Sequence, residues 1–428
     1  MEFDVKKTPE GQLVEKPLLE QLWNMKYDYK TQRQLNKERD KTSEVIIYKR
    51  LRPALKKINP HLSDVQINQA IEQIHEEEFE HSLSRIDTNE TIYGKLTGLS
   101  TSRFTPIQVD SEDPSKEFED VKIFDFEHPL ENDFLVTNQF ELFGFKEYIY
   151  PDIVIFVNGI PLVVIECKRK DLPDPIEEAV EKNFAKYQLP KKGWDKLFFY
   201  NFFMVATCGI VAKHGTIGAN VNHFAPWTES YPLEKEEVAA KCTIEPRQQE
   251  FLVAGMLSKK HLLKLLKNYV IFDVENEKKI KKIAKHQQFR AVEKAVIRAG
   301  LPGKKGGVIW HTQGSGKSLS MVWFSTQLLQ EFGTPPIIIV TDRKQLDRQI
   351  TDTFTNAGYP SPKQIKKSNQ LEEFLANPEG KTRMTTIHKF SEVKSKINTN
   401  EKIFVLVDEA HRTQYKDHAI AMNNVLGK

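Results

Sequence analysis

The sequence predicts an α/β protein of two domains in tandem, and three observations carry that prediction. Two β-rich runs, 148–157 and 160–168, flank Asn158-Gly159, a strong signal for a tight hairpin turn. Beyond residue 300, short apolar runs alternate with helical stretches: Gly307–Trp310, a helix from Lys317, Ile337–Thr341, a helix near Gln345, Met384–Thr386 and Ile403–Val407. Such alternation gives a parallel sheet with crossover helices. The 428 residues also exceed one ordinary domain, at about 100–200 residues each.

Composition narrows the class. Hydrophobic content of 39% and charged content of 28% allow a sizeable core and exclude compositional disorder. A formal charge of +3 is too small to prove a nucleic-acid partner. No run approaches the ~18 apolar residues of a membrane span, so no membrane partner is expected. The charged start, Met1-Glu2-Phe3-Asp4-Val5-Lys6-Lys7, lacks the apolar centre of a secretory signal. Cys167, Cys208 and Cys242 are odd in number and without metal-like spacing, which argues against a disulfide scaffold or zinc site. These features point to a soluble protein of a reducing, cytoplasmic compartment.

Along the chain, Ile67, Ile71 and Ile74 recur at helical spacing. Glu78 continues their stripe, either as a third metal carboxylate or as an exposed acid on the helix edge. Residues 176–189 read as a helix with Asn183 and Tyr187 on the inward face of Ile176 and Val180. Phe198–Cys208 reads as a buried strand and 247–270 as a Leu- and Lys-rich helix. The cluster at Lys278–Lys282 opens a further helical region ending near Gly300. The expected division is an N-terminal domain over 1–245, with its core at about 120–210, a helical linker over 246–285, and a second α/β domain over 286–428.

Residues 311–318 read His-Thr-Gln-Gly-Ser-Gly-Lys-Ser. A strand ending at Trp310 enters this glycine-rich loop and a helix opens at Lys317. Gly314, Ser315 and Gly316 would turn backbone amides toward phosphate oxygens, where the helix dipole also favours negative charge. Lys317 would neutralise the β- and γ-phosphates of ATP, and Ser318 would ligate Mg2+. The run Ile403–Val407 delivers Asp408-Glu409-Ala410-His411 at its C-terminal end, where such sheets bind ligands. Asp408 would hold Mg2+, and Glu409 would polarise the attacking water.

In the hairpin, strand periodicity places Glu166 and Lys168 on one face and Cys167 on the other. Asp152 lies on the neighbouring strand. Two carboxylates, Asp152 and Glu166, would ligate Mg2+, while Lys168 would orient a water and stabilise developing charge. Register tests this. An unbulged two-residue turn sets Asp152 opposite Ile165, on the wrong face. A glycine-bulged three-residue loop, or an equivalent bulge, returns it to the face of Glu166.

These segments carry a resemblance. Asp408-Glu409-Ala410-His411 after such a loop resembles superfamily 2 helicases and translocases, whose first lobe is RecA-like. Ile339–Arg343 and Met384–His388 look like that family's DNA-contacting motifs. His286-Gln287-Gln288-Phe289 resembles its adenine-reading glutamine motif, with Gln287 the candidate. Pro151-Asp152 followed by Glu166-Cys167-Lys168 resembles the PD-(D/E)xK endonuclease fold. Related nucleases carry Gln-x-x-x-Tyr where this chain has Asn183 and Tyr187, the possible DNA contacts. Over roughly residues 120–428 the combination resembles the restriction subunit of type I restriction-modification enzymes. The resemblance implies ATP-dependent translocation of double-stranded DNA coupled to Mg2+-dependent cleavage, with methyltransferase and specificity subunits as partners. It also implies a second RecA-like lobe, so the chain looks like an N-terminal fragment of a longer polypeptide. Two alternatives stay open. One is a repair or defence helicase–nuclease without methyltransferase partners; the other is a hairpin domain that only binds DNA or assembles.

Overall fold

The structure, a computed structural model, describes residues 2–76, 84–98, 106–108, 118–303, 306–312, 314–342, 344–356, 359–378, 380–393, 403–408 and 415–426. It divides into two compact units, one of residues 1–270 and 274–286, the other of 271–273 and 287–428. Glu78, Gln313, Arg343, Glu409, Ala410 and His411 lie outside the described residues.

The first unit is organised by a seven-stranded mixed sheet. Its strands, in chain and spatial order, are β1 (Asp28–Lys30), β2 (Phe134–Asn138), β3 (Ile153–Val157), β4 (Ile160–Cys167), β5 (Phe203–Thr207), β6 (Ala212–Gly215) and β7 (Ala225–Pro226). β1 runs parallel to β2 and β4 parallel to β5; the remaining neighbours are antiparallel. Every residue of β2, β3, β4 and β5 is buried. That explains their near-continuous apolar sequences, since a strand covered on both faces cannot alternate. Fully burying a side chain such as Val163 or Ile165 contributes about 1.5–3 kcal/mol, so this central ribbon is the rigid frame of the unit.

The β3–β4 hairpin turns on Asn158 (φ 51°) and Gly159 (φ 78°), the double left-handed geometry that Asn-Gly favours. The Asn158 side chain fixes the corner: its Oδ1 accepts from the Asp133 amide at 2.8 Å, and its Nδ2 donates to the Ile123 carbonyl at 2.8 Å. A Cβ on Gly159 would stand 2.4 Å from the Ile47 carbonyl oxygen, so close approach also demands glycine here.

Sequence-expected boundaries shift in several places. Phe198–Cys208 divides into a short helix, Lys196–Phe199, and β5. Residues 247–270 form two helices, Gln248–Met256 and Lys259–Asn268. They pack as part of the first unit rather than as a linker. Gln21 Nε2 donates to the Glu250 carbonyl at 2.9 Å, Tyr27 to that of Leu257 at 2.7 Å, and Tyr93 to that of Leu266 at 2.7 Å.

The expected helix at Lys278 is instead a strand, Lys278–Ile283, and the helix begins at His286. Period-two alternation turns Lys279 and Lys281 to the same side. Lys279 pairs with Asp87 at 2.6 Å and Glu90 at 2.5 Å, and Lys281 donates to Asn89 Oδ1 at 3.0 Å and the Asn201 carbonyl at 2.9 Å. A helix would have sent these side chains in different directions.

Burial pulls the Lys281 ammonium down to about 7. The unfolded chain holds this proton to about pH 10.4, so between those values the unfolded state carries more protons and stability rises with pH. Below pH 7 the cost of burying the charge is constant. Wild type should therefore gain stability over Lys281→Met between pH 7 and 10, at up to about 1.4 kcal/mol per pH unit. Urea midpoints of both proteins across that range check this; a constant difference would refute it.

The second unit holds a four-stranded parallel sheet of β8 (Ile337–Thr341), β9 (Lys363–Gln364), β10 (Thr382–Thr386) and β11 (Phe404–Val407), in the order β9-β10-β8-β11. Ile338, Val340, Leu371, Leu375 and Phe390 form its core. The helices Lys317–Glu331, Lys344–Asn356 and Ser368–Ala376 supply the expected alternation. One expected strand does not form. Gly307–Trp310 carries no regular secondary structure, with Val308 89% and Trp310 91% exposed. Its apolar sequence suits a strand, but no described strand takes it up as a ladder partner, and a strand needs neighbours to be stable.

Candidate active site and phosphate loop

The hairpin register brings the predicted carboxylates together. β3 and β4 pair Val157 with Ile160 and Phe156 with Pro161, and then shift so that Ile155 faces Val163 and Ile153 faces Ile165. The turn has two residues, as the Asn-Gly pair requires, and the bulge lies at Leu162 inside β4. Continued by one step, this register sets Asp152 against Glu166. The bulge thus does what the sequence demanded, displaced from the turn into the strand.

Asp152, Glu166 and Lys168 are 7%, 1% and 8% exposed. Lys168 Nζ lies 3.3 Å from Glu166 Oε2 and donates to the Cys167 carbonyl at 3.1 Å. Asp152 accepts from the Cys167 amide at 2.8 Å and from Gln139 Nε2 at 3.1 Å. The Cys167 thiol is buried, and burial pushes its pKa well up, which fits a small core residue. Tyr187 is buried, and its hydroxyl accepts from Asn183 Nδ2 at 3.3 Å. Asn183 sits in a π-helical stretch, Glu178–Phe184, a distortion that often marks functional sites.

Sequence reasoning missed two further acids. Glu10, Glu15 and Asp152 offer carboxylate oxygens that all lie within 4.8 Å of one another. Glu15 closes another π-helical turn, Gly11–Glu15, and is 0% exposed. A Cβ on Gly11 would collide with the Lys6 carbonyl oxygen at 2.2 Å, so this turn packs against its own approach. The signal available in the sequence was faint: a lone acid on a short polar segment, far in sequence from the hairpin.

The electrostatics describe a pocket short of positive charge. Burial and then Asp152 drive Glu166 well above the usual carboxylate range, with Lys168 and Tyr187 pulling the other way. Burial and Asp152 raise Glu15 to about 7. Burial, followed by Asp152, also raises Glu10. Burial works against the Lys168 charge, but Glu166, Asp152 and Glu10 outweigh it, and its pKa rises. Glu166 Oε1 and both Glu15 carboxylate oxygens are buried without a well-formed hydrogen bond, and Gln139 only partly offsets the rise at Glu15. Buried acceptors left unsatisfied are costly. An all-oxygen donor set with excess negative charge suits a hard divalent cation.

In the second unit, Gly314 (φ 76°) and Gly316 (φ 83°) adopt the left-handed backbone of the phosphate loop. Ser315 Oγ donates to the Thr312 carbonyl at 2.7 Å, and Gly316 caps the helix that opens with Lys317 and Ser318. Asp408 follows β11, its amide donating to the Val340 carbonyl at 2.9 Å. The glutamine that reaches this loop is Gln288, whose Nε2 donates to the Gly316 carbonyl at 3.1 Å. Gln287, the sequence candidate, instead buries an Oε1 without a partner. The two are one helical step apart, about 100° in direction, which a pattern match does not resolve.

A mixed α/β first unit with a buried carboxylate–lysine cluster is joined in one chain to a parallel-sheet unit with a glycine-rich loop at a helix start. Residues 7–222 match the family model described as "Type I restriction enzyme R protein N terminus", and residues 287–428 match the SWI2/SNF2 ATPase model. The chain belongs to the type I restriction enzyme R protein family. It is 32% identical over 427 residues to the type I restriction enzyme HindI endonuclease subunit of Haemophilus influenzae, covering 94% of this chain and 39% of that one. It is 28% identical over 454 residues to the putative type I restriction enzyme MjaIXP endonuclease subunit of Methanocaldococcus jannaschii, covering 97% and 41%. The chain thus spans about two-fifths of the length of these relatives. No helix among the described residues is long and apolar enough to cross a membrane.

Proposed function

We propose that the first unit is a Mg2+-dependent nuclease of the PD-(D/E)xK type acting on double-stranded DNA. The second unit is the first RecA-like lobe of an ATP-driven DNA translocase, and the two work in a type I restriction enzyme beside methyltransferase and specificity subunits. The observation that carries this is the pocket of Asp152, Glu166, Glu15 and Glu10 around Lys168, with buried carboxylate oxygens lacking donors.

Asp152 and Glu166 would hold the cation, with Glu15 as a third carboxylate in the role the sequence had offered to Glu78. When bound, the cation supplies Lewis-acid activation of a water and screening of the scissile phosphate. Lys168 keeps its proton beside Glu166, so it presents a fixed positive charge to a phosphate oxygen and a donor to orient water. Tyr187, steadied by Asn183, covers Glu166 and keeps bulk water off it. The Cys167 amide and Gln139 Nε2 each hold one oxygen of the Asp152 carboxylate. In the second unit Gly314, Ser315, Gly316, Lys317 and Ser318 would cradle the ATP phosphates, Asp408 would hold their Mg2+, and Glu409 would orient the attacking water. Gln288 supports the loop, and Gln287 remains the candidate for adenine.

The test is Mn2+ titration of the nucleotide-free chain by calorimetry. Asp152→Asn is expected to eliminate the site. Glu15→Gln should weaken it at least as much as the loss of an outer-shell partner does, about 10–100-fold. Unaltered affinity in Glu15→Gln would remove that residue from the metal set.

A further inference from the structure

Glu15 reaches the metal cluster from a short π-helical turn, and a turn of this kind needs something to hold it. The wide helical ring is intrinsically poor in stability, and Glu15 itself is pushed by Asp152 and Glu10.

The restraint comes from far along the chain. Gln249, 1% exposed, lies in the first turn of the helix Gln248–Met256. Its Nε2 donates to the Val14 carbonyl at 3.2 Å, the peptide that leads into Glu15. Its Oε1 accepts from Thr207 Oγ1 at 2.8 Å. Thr207 ends β5 opposite Cys167, and its carbonyl accepts the Lys168 amide at 2.9 Å. One amide side chain therefore bridges the turn that carries Glu15 and the end of β5, which pairs in turn with the end of β4 that carries Glu166 and Lys168. The same helix is pinned on both sides of Gln249. Gln248 Oε1 accepts the Ala212 amide at 3.3 Å, and Gln21 donates to the Glu250 carbonyl at 2.9 Å.

We propose that Gln249 is a positioning residue for the metal site, holding Glu15 in register with Asp152 and the β4 end. This rests on the reading of that cluster as a cation site. An amide suits the task because it donates to one segment and accepts from the other at once; a carboxylate or an amine would satisfy only one. Outer-shell partners of metal ligands commonly govern affinity by about 10–100-fold.

The experiment is Mn2+ titration into the nucleotide-free 428-residue chain, comparing wild type, Gln249→Met, Thr207→Val and Asp152→Asn. Methionine keeps the length and helix propensity of glutamine while removing its hydrogen bonds to Val14, Thr207 and the neighbouring Glu250 carboxylate. The expected result is Mn2+ affinity about 10-fold weaker in Gln249→Met, a smaller loss in Thr207→Val, and an unchanged near-ultraviolet circular dichroism spectrum in both. Binding of a Mg2+–nucleotide analogue should stay at the wild-type value, since the phosphate loop lies in the other unit. Mn2+ affinity within twofold of wild type in Gln249→Met, with Asp152→Asn still abolishing binding, would overturn the proposal while leaving the metal reading intact. Absence of any Asp152-dependent binding in wild type would overturn the metal reading, and this proposal with it. If Gln249→Met does not fold, Thr207→Val decides: unchanged Mn2+ affinity there counts against the bridge.

Discussion

Lys168→Ala in the assembled enzyme is expected to lower DNA cleavage by at least about 10²–10⁴-fold, the usual scale for removing a group that moves or holds a proton in the transition state. ATP hydrolysis should continue at nearly the wild-type rate. The reason is spatial and chemical. Lys168 Nζ sits 3.3 Å from Glu166 Oε2 in the first unit, while Lys317 opens the phosphate-loop helix of the second. Removing Lys168 leaves Glu10 and Glu166 without their principal positive neighbour, so metal binding should persist or tighten as cleavage fails. Parallel assays of plasmid linearisation and phosphate release measure both. Equal loss of the two activities, in a folded protein, would refute the assignment of separate sites.

Lys317→Ala should give the asymmetric result: ATP hydrolysis falls by about 10²-fold or more, as expected when a preorganised charge on the transferring phosphoryl group is removed, and cleavage falls with it. Cutting that depends on DNA being pulled requires the motor, whereas the motor does not require cutting. Mn2+ binding at Asp152 should be untouched, which separates a failed motor from a damaged nuclease pocket. Cleavage at the wild-type rate in Lys317→Ala would mean the nuclease acts without translocation.

Much of this was legible in the sequence because it depends on local pattern. Asn158-Gly159 dictates its turn through backbone sterics, and the acid–lysine spacing of β4 follows from strand periodicity. The need for a bulge followed from register alone, but its place at Leu162 did not, since both strands are uniformly apolar there. Lys278–Ile283 was misread as helical because four lysines around two isoleucines carry no clear period. Asp87, Glu90 and Asn89, which fix it as a strand, lie far away in sequence. Glu15 and Gln249 escaped for the same reason. Each gains its role from a contact across the fold, and neither segment has a pattern that announces it. Gln287 and Gln288 differ only in direction on one helix.

The central claim is that Asp152 and Glu166 are the cation-holding pair of a nuclease. The most direct measurement is an anomalous difference map from crystals of this chain soaked in Mn2+. A peak between the Asp152 and Glu166 carboxylates is expected, and it should disappear in Asp152→Asn. A map without density there, at Mn2+ concentrations that support cleavage by the assembled enzyme, would contradict it.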